Sequence, residues 1–182
     1  MLSLGHTLLR PADEKDLAPL MELRNDVALQ GDLLSSPRGS SLAATREWVT
    51  RRTLPEGALF FVIARAEDGG AVGFIQLEHV HPVHRHAHLG VALSRTARGV
   101  GHGSAAVRLL ERHAHDVLGV RKVLLEVKSS NARAVALYER LGYQRVGVLR
   151  EHFYLAGSFH DVTVLEKQLH HSPEPRETRP NE

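Results

Sequence analysis

The sequence predicts a single α/β domain built on a mostly antiparallel sheet. Three observations carry this: successive strand-period segments between residues 58 and 93, two helical segments in the second half each closed by a glycine, and a length of 182 residues that suits one hydrophobic core. Apolar residues make up 42% and charged residues 24%, so a packed core is within reach and disorder is not the starting point. No internal repeat is visible, which removes solenoids and propellers.

Taken in order, residues 6–10 form a short apolar strand ended by Pro11. Asp13 then opens a helix with Leu17, Leu20, Met21, Leu23 and Val27 at helical spacing. Gly31, Ser35, Ser36, Pro37, Arg38 and Gly39 read as a loop of the kind that covers ligands, followed by a weaker helix over 42–52 around Trp48. The period changes at residues 58–65 and 71–79, two β-rich runs joined by the turn Glu67 to Gly70, and a third strand follows at 86–93 after Pro82. Gly101 to Leu118 returns to helical spacing through Ala105, Ala106, Leu109, Leu110, Val117 and Leu118, and Gly119 stops it as a C′ residue would. A buried strand at 121–127 leads to Ser129, Ser130 and Asn131, which cap a helix whose stripe is Ala134, Leu137, Tyr138 and Leu141. Gly142 terminates that helix, and closing strands are expected at 143–149 and 159–166. One domain is expected over 1–170, followed by a mobile polar tail at 171–182 with three prolines and no large apolar residue.

Composition narrows the chemistry. With no cysteine, disulfides, zinc-thiolate sites and thiol nucleophiles are excluded. The formal charge of +2 is too small to argue for direct nucleic-acid binding, although anionic ligands remain welcome locally. No stretch approaches the ~18 apolar residues of a membrane span, and Arg10, Asp13, Glu14, Lys15 and Asp16 occupy the place of a signal-peptide core. No membrane partner is expected, and the cytoplasm is the expected compartment.

The loop Arg98-Gly99-Val100-Gly101-His102-Gly103-Ser104 joins a strand to a helix. At such a junction, free backbone N–H groups and the positive end of the helix dipole suit a phosphate, and glycine lets a diphosphate approach the main chain. Arg98 adds a cationic clamp. A P-loop is disfavoured because no Gly-Lys-Ser/Thr follows, and a Rossmann fingerprint fits poorly because counting from Gly99 gives GxGxxS after antiparallel strands. A glycine-rich turn can also merely cap a helix, so a second motif has to decide.

That second motif is residues 124–143, LLEVKSSNARAVALYERLGY. Together with RGVGHGS it resembles the GNAT superfamily of N-acetyltransferases, over roughly residues 58–166. Arg98, Gly101 and Gly103 match the family's R/Q-x-x-G-x-G/A acetyl-CoA motif, and Asn131, Ala134, Tyr138 and the Gly142-Tyr143 pair match its second motif. The resemblance implies a GNAT-like mixed sheet splayed in a V and flanked by helices. It places the pantetheine arm of acetyl-CoA in the gap against Val91, Ala92 and Leu93, and the diphosphate on residues 98–104, including Val100, His102 and Ser104. Asn131 would approach from the other lip, with Tyr138 at the thioester sulfur. The LEV…N…A…LYE..G pattern is similar to protein N-terminal acetyltransferases, whereas GVLREHFYLAGSFHDV is similar to a ribosomal-protein and polyamine acetylating branch. The acceptor amine is therefore left open between a protein N-terminus, a polyamine and another small amine.

An amine with a pKa of about 8 to 10 is protonated at neutral pH and needs a base before it can attack a thioester. The resemblance gives that role to Glu126, with Tyr138 protonating the departing thiolate and no covalent enzyme intermediate. Glu126 also suits a simple pairing with Lys122 or Lys128, Tyr138 suits a core position, and Asn131 is a good N-cap in any case. Glu78 is a second carboxylate candidate, and His84 or His88 a possible relay. His79, His81, His84, His86 and His88 crowd one hairpin, but HExxH and paired-cysteine patterns are absent and no metal is expected. Two rival readings remain: a non-catalytic acyl-CoA-binding sensor, and a dinucleotide-binding oxidoreductase. A homodimer is compatible with the exposed strand edges.

Overall fold

The computed structural model describes residues 1–54 and 58–169; the polar tail expected at 171–182 lies outside the described residues. The chain begins with a hairpin, β1 (Leu2–Leu4) and β2 (Thr7–Arg10), then the helices α1 (Leu17–Asn25), α2 (Val27–Asp32) and α3 (Leu42–Thr53). Strands β3 (Leu59–Arg65), β4 (Ala71–Glu78) and β5 (His86–Leu93) follow. The second half contains α4 (His102–Leu118), β6 (Lys122–Lys128), α5 (Ala132–Arg140), β7 (Gln144–Leu155) and β8 (Ser158–Gln168). All eight strands form one sheet in the order β1-β2-β3-β4-β5-β6-β8-β7. Only the β5–β6 pair is parallel, so the sheet is mixed and mostly antiparallel, as the sequence predicts.

Strand alternation sorts side chains onto two faces. Ile63, Ile75, Leu77, Leu125 and Val127 point to one face and are covered by α4 and α5 through Val107, Leu110 and Val135. Phe60, Val62, Phe74 and Ala92 point to the other, where Leu20, Leu23 and Trp48 of α1 and α3 pack on them. Trp48 stands edge-on to both Phe60 and Phe74, at centroid distances of 5.2 and 5.1 Å. Beside this layer Arg10 and Asp16 form a buried two-pronged ion pair at 2.7 and 2.8 Å, and Asp16 also accepts from the Asp13 N–H.

The helix ends follow local chemistry. Asp26 breaks the single helix expected from Asp13 to Val27: it ends α1 and caps α2 by accepting from the Leu29 N–H. Ser41 and Asn131 cap α3 and α5 in the same way, from the N–H groups of Ala44 and Ala134. Gly119 closes α4 in the left-handed conformation, at φ 63°.

Three expectations need correction. A first strand, β1, precedes the one read at 6–10. Gly31, read as the start of a loop, lies within α2, where a side chain would collide with Leu155: a Cβ there would come within 2.5 Å of Leu155 Cδ2. The closing strands are much longer than 143–149 and 159–166, forming a β7–β8 hairpin that extends across 144–168 and brings Leu155 back over α2.

Candidate active site

The parallel β5–β6 pair is joined at only three positions, His86 with Lys122, Ala87 with Val123 and His88 with Leu124. Beyond them the strands have no register, and a crevice of about 1090 Å³ opens between β5 and β6. Main-chain groups in such an opening must find partners outside the sheet. Ser94 donates its N–H to Val72 on β4, so by alternation the main-chain groups of Leu89, Val91 and Leu93 face the gap.

At the end of β5 the chain turns into α4. Gly99 and Gly101 take φ of 89° and 100°, conformations that disfavour any side chain. Gly101 is the N-cap, and no side chain caps this helix, whereas α2, α3 and α5 each have one. The first-turn N–H groups of α4 are therefore left for a ligand, at the positive end of a 17-residue helix. Arg98 is held in place by donating from Nε to the Leu93 carbonyl at 3.1 Å and lines the same crevice.

Among the residues expected to bind the cofactor, Val91, Leu93, Arg98, Gly99, Gly101, Gly103, Ser104, Asn131 and Tyr138 all line the crevice. Three side chains do not. Ala92 is buried on the opposite face against Phe74 and Trp48, because it alternates with Val91 and Leu93. His102 turns into the core, its Nδ1 2.9 Å from Thr7 Oγ1 and its ring edge-on to His6. Val100 is exposed on the outer surface of the loop and is absent from the lining. Val100 and His102 have only their main-chain groups to offer, and those of Ala92 turn away from the gap toward Phe74 on β4.

Tyr138 reaches the crevice from α5 with its ring buried, edge-on to Tyr143 at 5.4 Å. Its hydroxyl makes no hydrogen bond to another described residue, and burial raises its pKa above the ordinary phenol value, so it is a neutral donor. Tyr143, beneath it, is likewise pushed up, first by burial and then by the nearby Glu111 carboxylate.

Glu126 lies across the gap on β6, exposed and lining the crevice. It shares a sheet face with Leu124, and hence with His88 and Gln76. Glu78 also lines the crevice but is engaged by Arg52 Nε at 3.6 Å. His88 lines it too; His84 instead stacks on His81, whose Nδ1 accepts from the N–H groups of Val83 and His84 and so organises a turn. Among the described residues no group of three or more histidine or acidic side chains is arranged to hold a metal.

Sequence reasoning missed the third wall. Arg24 of α1 and Arg52 of α3 both stack on Trp48, with guanidinium carbons 4.7 and 4.6 Å from the ring centroid, and all three line the crevice. The spacing of Trp48 and Arg52, four apart on one helix, was a readable signal; Arg24, on another helix, left none.

A splayed sheet with an uncapped glycine-flanked helix at its opening defines an acyl-CoA-dependent transferase. The profile of the acetyltransferase (GNAT) domain matches residues 6–144, and the chain belongs to that family. It is an acetyl-CoA-dependent N-acetyltransferase, with acetyl-CoA as donor and an amine as acceptor. Spermidine N(1)-acetyltransferase of Escherichia coli (strain K12) is 24% identical over 154 residues, spanning 85% of this chain and 81% of that one. N-alpha-acetyltransferase of Sulfurisphaera tokodaii is 33% identical over 86 residues, 47% of this chain and 51% of its own. The crystal structure of spermidine N-acetyltransferase from Vibrio cholerae in complex with CoA and spermine superposes with a TM-score of 0.83 at 22% identity, covering 90% of this chain and 96% of that one. No helix among the described residues is long and apolar enough to cross a membrane.

Proposed function

We propose that this protein transfers the acetyl group directly to a primary amine in the β5–β6 crevice, with Tyr138 and Glu126 as its catalytic residues. The observation that carries the reading is the bare N-terminus of α4 beside a Tyr138 hydroxyl that faces the same crevice with no hydrogen-bond partner among the described residues. The first-turn N–H groups of α4 and Arg98 hold the diphosphate, and the gap-facing main chain of Leu89, Val91 and Leu93 pairs with the amides of the pantetheine arm. Asn131 spends Oδ1 on the cap of α5 and keeps its amide Nδ2 for the cofactor.

Glu126, directly or through water, takes a proton from the acceptor as its nitrogen bonds to the acetyl carbon. The carbon–sulfur bond then breaks, and Tyr138 donates a hydrogen bond to the leaving sulfur. A phenol held above its ordinary pKa of about 10 faces a thiol of about 8.5, so full proton transfer is uphill by about 2 kcal/mol or more. Tyr138 therefore acts chiefly by hydrogen bonding to the developing thiolate, with proton delivery completed as the product leaves. The relatives named for spermidine and for protein α-amines share a primary amine, and that is the acceptor class proposed here. The cysteine-free composition suits a reducing compartment, and we place the protein in the cytoplasm.

Release of free CoA thiol across a panel of primary amines tests the reading. Turnover is expected, with Glu126→Gln lowering kcat/KM about 10²-fold at pH 7 and by less as the pH approaches that of the free amine. Acetyl-CoA binding by calorimetry without thiol release from any amine would leave the sensor reading in its place.

A further inference from the structure

We propose that the acceptor carries a carboxylate in addition to its amine, and that Arg24 and Arg52 beside Trp48 receive it. The proposal rests on the amine-transfer reading above and specifies its substrate class.

Two of the three carboxylates lining the acceptor side are already paired. Asp32 of α2 faces Lys128 at 3.8 Å, and Glu78 faces Arg52 at 3.6 Å. Left over on this side are Glu126 on β6 and two arginines, Arg24 on α1 and Arg38 in the loop between α2 and α3, none of which forms an ion pair with a described residue. The remaining pattern is one negative position for an ammonium and an arginine-lined position for an anion, the complement of a zwitterion. A polyamine, cationic at both ends, would bring a second ammonium toward Arg24.

The two guanidinium groups are placed to receive an oxyanion. Arg24 uses Nε on Ser40 Oγ at 2.9 Å, and Arg52 uses Nε on Gln76 Oε1 at 3.0 Å. Those bonds and the stacking on Trp48 fix the planes, while the Nη atoms of both make no hydrogen bond to a described residue. A planar fork with free Nη donors matches a carboxylate in two-pronged geometry. Both arginines are held partly out of water, and burial is the main influence lowering the pKa of each; at Arg24 the neighbouring Arg52 and Arg51 add to it with no carboxylate opposing, whereas at Arg52 Glu78 partly offsets burial and Arg51. An incoming carboxylate relieves that repulsion, whereas an incoming ammonium adds to it.

The test compares three five-carbon amines that end in a carboxylate, a methyl group and an ammonium: δ-aminovalerate, n-pentylamine and cadaverine. With the full chain and saturating acetyl-CoA, kcat/KM for δ-aminovalerate is expected to exceed that for n-pentylamine by about 10- to 100-fold, the yield of one charge-assisted contact, with cadaverine lowest. Arg24→Gln collapses the ratio of the first two toward one, and Arg24→Lys restores part of it. Cadaverine turned over as well as δ-aminovalerate, or a ratio untouched by Arg24→Gln, overturns the proposal. Melting of the CoA-saturated protein separates this failure from failure of the transfer reading. A rise in Tm with δ-aminovalerate that Arg24→Gln abolishes upholds the anion site even if no amine is acetylated, and no rise overturns it.

Discussion

Replacing Tyr138 by Phe removes one oxygen atom from the crevice and nothing else. The hydroxyl has no hydrogen-bond partner among the described residues, so no such bond is lost, and the ring keeps its edge-on contact with Tyr143 at 5.4 Å. Removing a crevice-facing hydroxyl that makes no bond within the fold is close to neutral, so the melting temperature should hold. Acetyl-CoA affinity should also hold, because the diphosphate and pantetheine contacts proposed above belong to α4 and β5. What is lost is a donor to the leaving sulfur, and one such donor is typically worth about 10²–10³-fold in kcat, or about 3–4 kcal/mol of barrier. The assay is initial-rate thiol release at saturating amine, with Kd for acetyl-CoA from calorimetry and Tm from thermal melting. A kcat within about threefold of the parent, or a parallel fall in Tm and acetyl-CoA affinity, would refute the reasoning and make Tyr138 a scaffold residue. The same argument predicts the alkaline behaviour. With its pKa raised by burial, Tyr138 stays protonated through pH 10, so the parent enzyme should show no falling limb below that pH.

Gly101→Ala forces an alanine to a φ of 100° at the N-cap of α4, at a cost of about 1–3 kcal/mol of strain. If the loop rebuilds to escape it, acetyl-CoA affinity falls at least about tenfold by calorimetry while Tm changes only modestly; unchanged affinity would detach the loop from the diphosphate. Asp16→Asn breaks the buried pair with Arg10, whose side chains are 2% and 10% exposed, and chemical denaturation should show a loss of about 3–5 kcal/mol. Burial alone would push the Asp16 carboxyl up, but the Arg10 hydrogen bonds and the Asp13 N–H outweigh it and hold the pKa below its ordinary value. The stabilisation is thus fully present above about pH 4 and is lost as pH falls through the lower folded-state pKa, and the variant should lack that part of the acid transition.

The parts legible in sequence were those where local chemistry and long-range packing agree. β5 was placed at its observed limits, 86–93, because apolar alternation and the glycines beyond it mark both ends. Helix α4 was bounded by Gly101 and Gly119, and α5 by Asn131, since each of these residues supplies a conformation or a cap that nothing else nearby does. The β7–β8 hairpin was underestimated because ten of the twelve positions of β7 are exposed or lie at an edge with no inside-out alternation to read. Asp26 was absorbed into a helix because its capping role depends on a break that helical spacing alone does not reveal. The arginine wall escaped notice for a different reason: Arg24, Trp48 and Arg52 converge only when α1 and α3 dock on β4, a tertiary event without a local signature.

The two proposed catalytic groups come from opposite layers of the molecule, and strand alternation is the cause. In β6, Leu125 and Val127 enter the core beneath α4 and α5, so Glu126 between them must face the side of α1 to α3. Tyr138 belongs to α5 and meets the gap from the other layer. The group proposed to remove a proton from the amine and the group proposed to face the departing sulfur are therefore held by separate elements. Neither has to change protonation state before the other can act, and neither can replace the other. This separation predicts how Glu126→Gln and Tyr138→Phe combine. If each acts on its own bond, their effects on kcat multiply in the double variant; if one shared proton passes through both, the double variant is no slower than the worse single one. Since the sheet holds Glu126 and Tyr138 on opposite sides of the opening, the multiplicative result is the one the geometry requires.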